Sequence, residues 1–418
     1  MTQDVADLIG PVTETPFDGA TAPVAAAYTG FRFSVQRFLL LQLADRAGSV
    51  VPLGREGYQT VLTNFHIAVR PGQLTVTGTD LEIRVIATTP AVSLTCSGSE
   101  DPPPVVLPAK RLLDILKAAP DGEVTIEVKG DQARVTAGTA NWSLKLSSDG
   151  ADYPAPPDLS AVEWHETQRM PLLGALRAVR HAVSKSGSNP NLGQVDIRAR
   201  ESGSAPCVTA CDRTRFAQVP LPGFPVAMRI PAAGSPPAIQ ELTRLLGNSQ
   251  AEVVRVGLLG RRLLFAIDST VFMVSQLPLE YPDVWGLLLE PSLLNQDLFE
   301  VDRDALESAI RQVRINADDA TAAIGLKLSE GRVTVFAQDK YGNQAEQPVE
   351  ATWDHPDRTL VVNHEFLAQM LGVHPAPRCV FRLGKDVGRR KAPVLLRDEA
   401  SGVTGIINQM AGALLGYA

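Results

Sequence analysis

At 418 residues, with 44% hydrophobic, 20% charged and 6% aromatic side chains, the chain has the composition of a globular protein large enough for several cores, and not of a disordered or fibrous one. No apolar run is long enough to span a bilayer and the N-terminus lacks the basic and apolar regions of a secretory signal, so no membrane partner and a cytoplasmic location are expected. A formal charge of −7 argues against a uniformly basic nucleic-acid binder, and the four cysteines, Cys96, Cys207, Cys211 and Cys379, make neither a C-x-x-C pair nor a disulfide framework.

Residues 1–30, rich in Thr, Ala, Pro and acids without periodicity, read as a flexible tail. From Phe31 the pattern turns regular. An amphipathic helix is expected over 34–47 with a stripe of Val35, Phe38, Leu39 and Gln42, followed by period-two strands such as Gln73 to Thr79 and a second helix over 108–119 that Pro108 opens. A meander follows at 124–128, 133–137 and 142–147, turning at Gly130-Asp131. The same order returns with a helix over 168–185 carrying Leu172, Leu176, Val179 and Val183, a second helix over 236–246, and hairpin strands that turn at Gly260-Arg261. It returns once more with Leu306, Ile310 and Val313 on a helix over 302–314, a strand at 331–336 and a helix over 363–371.

Proline-rich linkers, Asp152 to Asp158 and Leu279 to Pro291, separate these copies. Asp152-Tyr153-Pro154 and Glu280-Tyr281-Pro282 lie 128 residues apart, as do Pro108 and Pro236, and Asn363 lies 127 beyond Pro236. A period that long means three repeated domains, at 31–160, 161–292 and 293–418, and not a solenoid. Their class is α+β, two helices on antiparallel sheets in each. Over the six helical windows Lys and Arg number thirteen against seven Asp and Glu, in a chain that is acidic overall. Such a split lets helix faces hold a polyanion that the remaining surface repels. The bias is uneven, since the third copy's helices, with Asp302, Asp304, Glu307 and Glu365, are not net basic.

Leu74 to Glu82 resembles the L-x-L-T-G-T-D-L-E strand and turn of the β sliding clamp of bacterial DNA polymerase III. Thr209 to Ala217 is similar to that family's A-T-D-G-H-R-L-A, Val105 to Ala119 to its V-P-A-R-K-F-F-D-I-x-x-x-L-P, and Ala151 to Pro154 to its A-D-F-P, in order along the chain. The resemblance implies a DNA sliding clamp, a non-catalytic processivity factor with no cofactor and no metal. Two chains would join head to tail into a ring around double-stranded DNA, held without regard to sequence in a nucleoid-associated, cytoplasmic setting. Helices lining the hole would offer Arg37, Lys110, Arg111, Lys117, Arg177, Arg180, Lys185, Arg244, Arg311 and Arg314 to the phosphates, and the loop Pro52-Leu53-Gly54-Arg55 would offer Arg55.

The resemblance also places the dimer joint at Trp142 and Leu144 of one chain and Ile315 of the other. It implies an apolar pocket for short peptides of the DNA polymerase III alpha subunit, the clamp loader and repair proteins. Cys211, Thr214, Arg215, Phe216, Pro231, Ile239, Ile406, Ile407, Gln409 and Met410 would wall that pocket. Three departures fall there: Arg213-Thr214 replaces the family's Gly-His, Phe216 its Leu, and Asn408 to Gly412 its M-P-M-R-L. A divergent paralogue that keeps the ring but alters the pocket, as a resistance or regulatory copy, is therefore the alternative. The six histidines show no metal-ligand spacing and no nucleotide-binding or nucleophile motif is present. Asp80 and Asp212 could be imagined as a hydrolase's carboxylate pair, but their recurrence in separate copies favours a turn role.

Overall fold

The computed structural model describes residues 30–53, 60–96, 101–146, 152–185, 189–232, 237–386 and 391–411. The expected tail, apart from Gly30, and Arg55 lie outside the described residues. The first repeat runs β1 (Phe31–Gln36), α1 (Arg37–Gly48), β2 (Asn64–Arg70), β3 (Gln73–Thr79), β4 (Ile83–Thr89), β5 (Ser93–Cys96) and β6 (Val105–Pro108). It closes with α2 (Ala109–Ala118), β7 (Glu123–Lys129), β8 (Gln132–Ala137) and β9 (Ala140–Lys145). The second runs β10 (Glu163–Gln168), α3 (Arg169–Val179), β11 (Gln194–Ala199), β12 (Pro206–Cys211), β13 (Arg215–Pro220) and β14 (Met228–Pro231). It closes with α4 (Ala238–Asn248), β15 (Val253–Leu259), β16 (Arg262–Ile267) and β17 (Thr270–Ser275).

The linker expected at 279–291 is partly helical: a turn of π-helix, Trp285–Leu289, runs into α5 (Glu290–Leu293). The third repeat then runs β18 (Asp297–Asp302), α6 (Arg303–Val313), β19 (Ala323–Ser329), β20 (Arg332–Gln338), β21 (Gln344–Thr352) and β22 (Arg358–Asn363). It closes with α7 (His364–Val373), β23 (Arg378–Leu383), β24 (Val394–Arg397) and β25 (Thr404–Ile407).

Each repeat thus opens on a strand, not on the helix expected. Phe31, Phe33 and Val35 alternate inward along β1, so α1 starts only at Arg37. The stripe expected from Val35, Phe38, Leu39 and Gln42 gives way to Leu40, Leu43, Ala44 and Ala47, while Phe38 is 62% exposed. The buried positions keep this register in α3, as Leu172, Ala175, Leu176 and Val179, and in α6, as Leu306, Ala309, Ile310 and Val313. Residues one apart on a helix stand about 100° round its axis, and the expected stripe went astray because it was started from Val35, which faces inward on β1 and not on the helix.

An arginine brace recurs in every repeat at the residue that follows the opening strand, and sequence reasoning missed it. The first residue of α1, α3 and α6 is Arg37, Arg169 and Arg303. Each guanidinium donates to a carbonyl at the C-terminal end of the second helix: Leu116 at 3.1 Å, Leu246 at 2.9 Å and His374 at 3.0 Å. Each backbone N–H donates beyond that helix, to Gly122, Glu252 and Pro377. A cation on unpaired helix-end carbonyls satisfies them and complements the helix dipole.

A second signature sits at the turns. Asp80 Oδ1 accepts from the N–H of Glu82 and Ile83, Asp212 Oδ1 from Thr214 and Arg215, and Asp339 Oδ1 from Tyr341 and Asn343. Leu81 at φ 81° and Arg213 at φ 78° take the left-handed conformation behind the first two, and Gly342 at φ 90° serves the longer third turn. These carboxylates are spent on backbone amides in separate hairpins, so the imagined catalytic pair is a pair of turn locks.

The chain packs as two compact units, residues 1–170 with 234–276 and residues 171–233 with 277–418. Repeats and units divide the chain differently because the sheets cross repeat boundaries. In the first unit a five-stranded sheet, β5-β1-β7-β8-β9, accompanies an eight-stranded one, β10-β15-β16-β17-β4-β3-β2-β6, where β17 of the second repeat pairs with β4 of the first. In the second unit a twelve-stranded sheet, β14-β11-β12-β13-β25-β24-β23-β18-β21-β20-β19-β22, pairs β25 of the third repeat with β13 of the second. Phe33, Phe65, Leu107 and Leu116 centre the first core, and Phe299 and Phe381, with rings stacked at 4.5 Å, centre the second. Each such side chain contributes about 1.5–3 kcal/mol by leaving water.

Burial also writes a pH dependence into the fold. His66 on β2 packs against the ring of Tyr153, and burial, with Arg84 nearby, pushes its pKa down to about 4. Unfolded, the same imidazole takes a proton below about pH 6.5, so this stability is whole above that pH and lost as pH falls towards 4, by up to about 3 kcal/mol. His181 in the second unit, also at about 4, acts in the same sense. Asp196, which burial raises to about 6, acts in the opposite one, costing stability as it ionises. In urea melts of the first unit's transition, His66→Phe is expected to flatten the loss between pH 6.5 and 4. An unchanged slope would remove His66 as its source.

Candidate functional site

Helix register decides which of the expected cations are available. Lys110, Arg111 and Lys117 stand exposed on α2, Arg177 and Arg180 on and just after α3 with Lys185 beyond, and Arg311 and Arg314 on and just after α6. None of these eight takes part in an ion pair among the described residues. Arg37 and Arg244 are committed instead. Arg37 caps α2 and pairs with Asp121, and Arg244 grips Glu241 through Nε and Nη2, at 3.0 Å and 2.6 Å. The exposed face of α1 is Phe38, Gln42 and Asp45, so the basic faces belong to α2, α3 and α6. Aligned on the brace arginines, Arg177 and Arg180 match Arg311 and Arg314, while the first repeat has Asp45 and Gly48 there. A groove of about 540 Å³ floored by Ile310 runs beside Arg311 and Arg314, between α6 and α7.

The residues expected to wall a peptide pocket fall into separate groups. Cys211 pairs with Phe216 across β12 and β13, and Phe216 with Ile406 across β13 and β25, so the three share one sheet face. Ile407 turns to the other face, into the core of the third repeat. Met410 lies in a small patch with Ala323, Phe336 and Val361, its N–H bonded to the carbonyl of Val361. Pro231 sits on β14, two strands from β12, and Ile239 on α4 belongs to the first unit. Arg215 is held by Asp212 Oδ2 at 2.8 Å and Gln369 Oε1 at 2.5 Å, its guanidinium 4.0 Å from the centroid of Phe366. Thr214 Oγ1 donates to Asp212, and Gln409 Nε2 donates to the Ala392 carbonyl.

Sequence reasoning missed six of the nine buried members of the apolar cluster around Cys211, Phe216 and Ile406. Leu192, Leu395 and the linker residues Tyr281, Val284, Trp285 and Leu289 complete it. The signal was present in the Trp-Gly-Leu-Leu-Leu run at 285–289, too apolar for a solvated linker.

Two of the strands with an unpaired edge bear on the expected joint. Among the described residues β9 pairs only with β8, and β21 pairs with β20 along its length but with β18 only at Ala351 and Thr352. Trp142 and Leu144 lie on the first of these strands, both packed on their own core, while Ile315, just beyond α6, is 81% exposed. No cluster of His, Cys, Asp and Glu able to hold a metal occurs among the described residues.

The chain is a tripled α+β module whose sheets are shared across repeats, with exposed cations on α2, α3 and α6 that are unpaired among the described residues. Residues 31–157 match the family described as DNA polymerase III beta subunit, N-terminal domain. The beta sliding clamp of Salmonella typhimurium is 24% identical over 345 residues, 81% of this chain and 89% of its own length, and that of Pseudomonas aeruginosa 25% over 344 residues, 82% and 90%. The crystal structure of a Caulobacter crescentus beta sliding clamp superposes with a TM-score of 0.81 at 20% identity, covering 92% of this chain and 99% of that one. A Bartonella birtlesii sliding clamp bound to griselimycin superposes at 0.79 and 22% identity, covering 91% and 99%. Residues 31–157 thus carry the N-terminal domain of the DNA polymerase III beta subunit family, and over nearly its whole length the chain has the fold of the bacterial beta sliding clamps.

Proposed function

We propose that two copies of this chain close head to tail into a ring around duplex DNA and tether the replicative polymerase for processive synthesis. The three repeats at 31–160, 161–292 and 293–418 would act as the ring's domains. The observation that carries this reading is the sheet pattern. Within the chain the last strand of one repeat twice pairs antiparallel with the turn-following strand of the repeat before it, β17 on β4 and β25 on β13. One such strand at each end is left over, β9 and β21, and a second copy supplies what each lacks.

The two internal joints supply a template for the register of the third. Met273 pairs with Arg84 and Ile406 with Phe216, where Arg84 and Phe216 lie opposite the residue that precedes the turn aspartate. By the same count Ser143 would face Gln344 of the other copy, and Trp142 would face Ala345. Arg177, Arg180, Arg311, Arg314 and the lysines and arginine of α2 would meet phosphates and not base edges, giving affinity without sequence preference. The face of Cys211, Phe216 and Ile406 would receive short apolar-anchored peptides of the polymerase's alpha subunit, the clamp loader and repair proteins. The protein loaded on nicked circular DNA should stay bound through a salt wash and be lost when the circle is linearised. Equal loss from both forms would rule out encirclement.

A further inference from the structure

The face expected to receive partner peptides is closed in this chain. Cys211, Phe216 and Ile406 are each no more than 2% exposed, and the chain's own segment from Tyr281 to Leu293 packs over them. Val284, Trp285 and Leu289 turn inward, whereas Leu287 is 71% exposed. Few side chains fasten the segment down. Trp285 Nε1 donates to Gln218 Oε1 at 2.5 Å, and the Arg198 guanidinium, held by Asp196 at 2.8 Å, lies 5.1 Å from the Trp285 ring centroid. Arg200 pairs with Glu290. The backbone is one turn of π-helix between Pro282 and Pro291, a geometry rare in ordinary helices and frequent at functional sites.

We infer that residues 281–293 form a self-docked cover. Val284, Trp285 and Leu289 occupy the apolar floor of Leu192, Cys211, Phe216 and Ile406 in the unpartnered protein, and a peptide with apolar anchors reaches that floor by displacing them. The inference rests on the reading of this floor as the peptide site. Its affinity for any peptide is then reduced by the fraction of time the cover stands open, and loosening the clasps restores it.

The test compares the full-length protein with Gln218→Ala and Trp285→Ala, by amide exchange over 281–293 and by titration with griselimycin, which the Bartonella birtlesii clamp binds. Both variants should exchange faster in this segment and bind griselimycin about tenfold more tightly than the native chain, as expected when the open fraction rises by about that factor. Faster exchange with no griselimycin binding by any form supports the cover and overturns the peptide reading. Unchanged exchange in Gln218→Ala, or measurable griselimycin binding of equal affinity in the native chain and that variant, overturns the cover. Gln218→Ala removes one clasp with little loss of core volume, so it carries the test should Trp285→Ala fail to fold.

Discussion

For the proposed head-to-tail dimer, Trp142→Glu is expected to yield monomers. Trp142 sits on the open edge of β9 and is only partly covered by its own core, and the joint register places it across from Ala345 of the second copy. Closing the joint over a glutamate strands a carboxylate without a partner, at a cost of about 3–5 kcal/mol, or roughly 10²- to 10³-fold in dissociation constant. In a two-fold ring both joints carry the change. Ile315→Asp should act in the same direction, and at 81% exposure Ile315 adds little to folding, so that variant separates a lost joint from a damaged monomer. Sedimentation equilibrium reads both. A native dimer mass for the two variants would move the joint away from β9.

Removing Arg177, Arg180, Arg311 and Arg314 together, as alanines, should weaken DNA binding most steeply at low salt. The four are exposed and unpaired among the described residues, two at each of two matching helices. Every phosphate left without its arginine should lower the slope of log affinity against log salt by about 0.9, so the four arginines of one chain amount to about 3.6. Retention on a closed circle should fall far less, since enclosure and not affinity would hold a ring in place. Arg37→Ala is the contrasting variant. Its guanidinium caps α2, so its loss should lower the melting temperature and leave the salt slope unchanged. A quadruple variant with the native slope would move the DNA path off α3 and α6.

Much of the repeat was legible because its punctuation is local. Pro108, the Gly130 and Gly260 turns and the aspartates at 80 and 212 act within a few residues of themselves, so the strands and second helices came out close to their observed bounds. The first helix was misplaced because β1 leads straight into it without a break: Gln36 caps α1 with no side-chain bond, and nothing in the string marks the change of period. The arginine brace went unread because each of its members bonds to a helix end some 71 to 79 residues away. Taken alone, each looks like another surface cation.

The sites divide along the same line. Residue type and spacing were enough to mark the basic character of the helices and the tripled module, and the family resemblance marked Cys211, Phe216 and Ile406 as parts of one apolar face. They could not separate Arg37 and Arg244, bound to a helix end and to Glu241, from Arg177 and Arg311, which remain available. Nor could they show that Ile406 and Ile407, adjacent in the chain, serve opposite faces of one strand.

By itself the amino-acid order determined a threefold α+β repeat, with its turns and the chemical character of its surfaces, because these follow from periodicity and short-range backbone preference. Only the tertiary structure decided which strands cross between repeats, that β9 and most of β21 lack a second partner strand among the described residues, and that the segment Tyr281 to Leu293 lies over Phe216. Pairing partners and burial depend on groups distant in the chain, and no local pattern encodes which distant strand or side chain arrives.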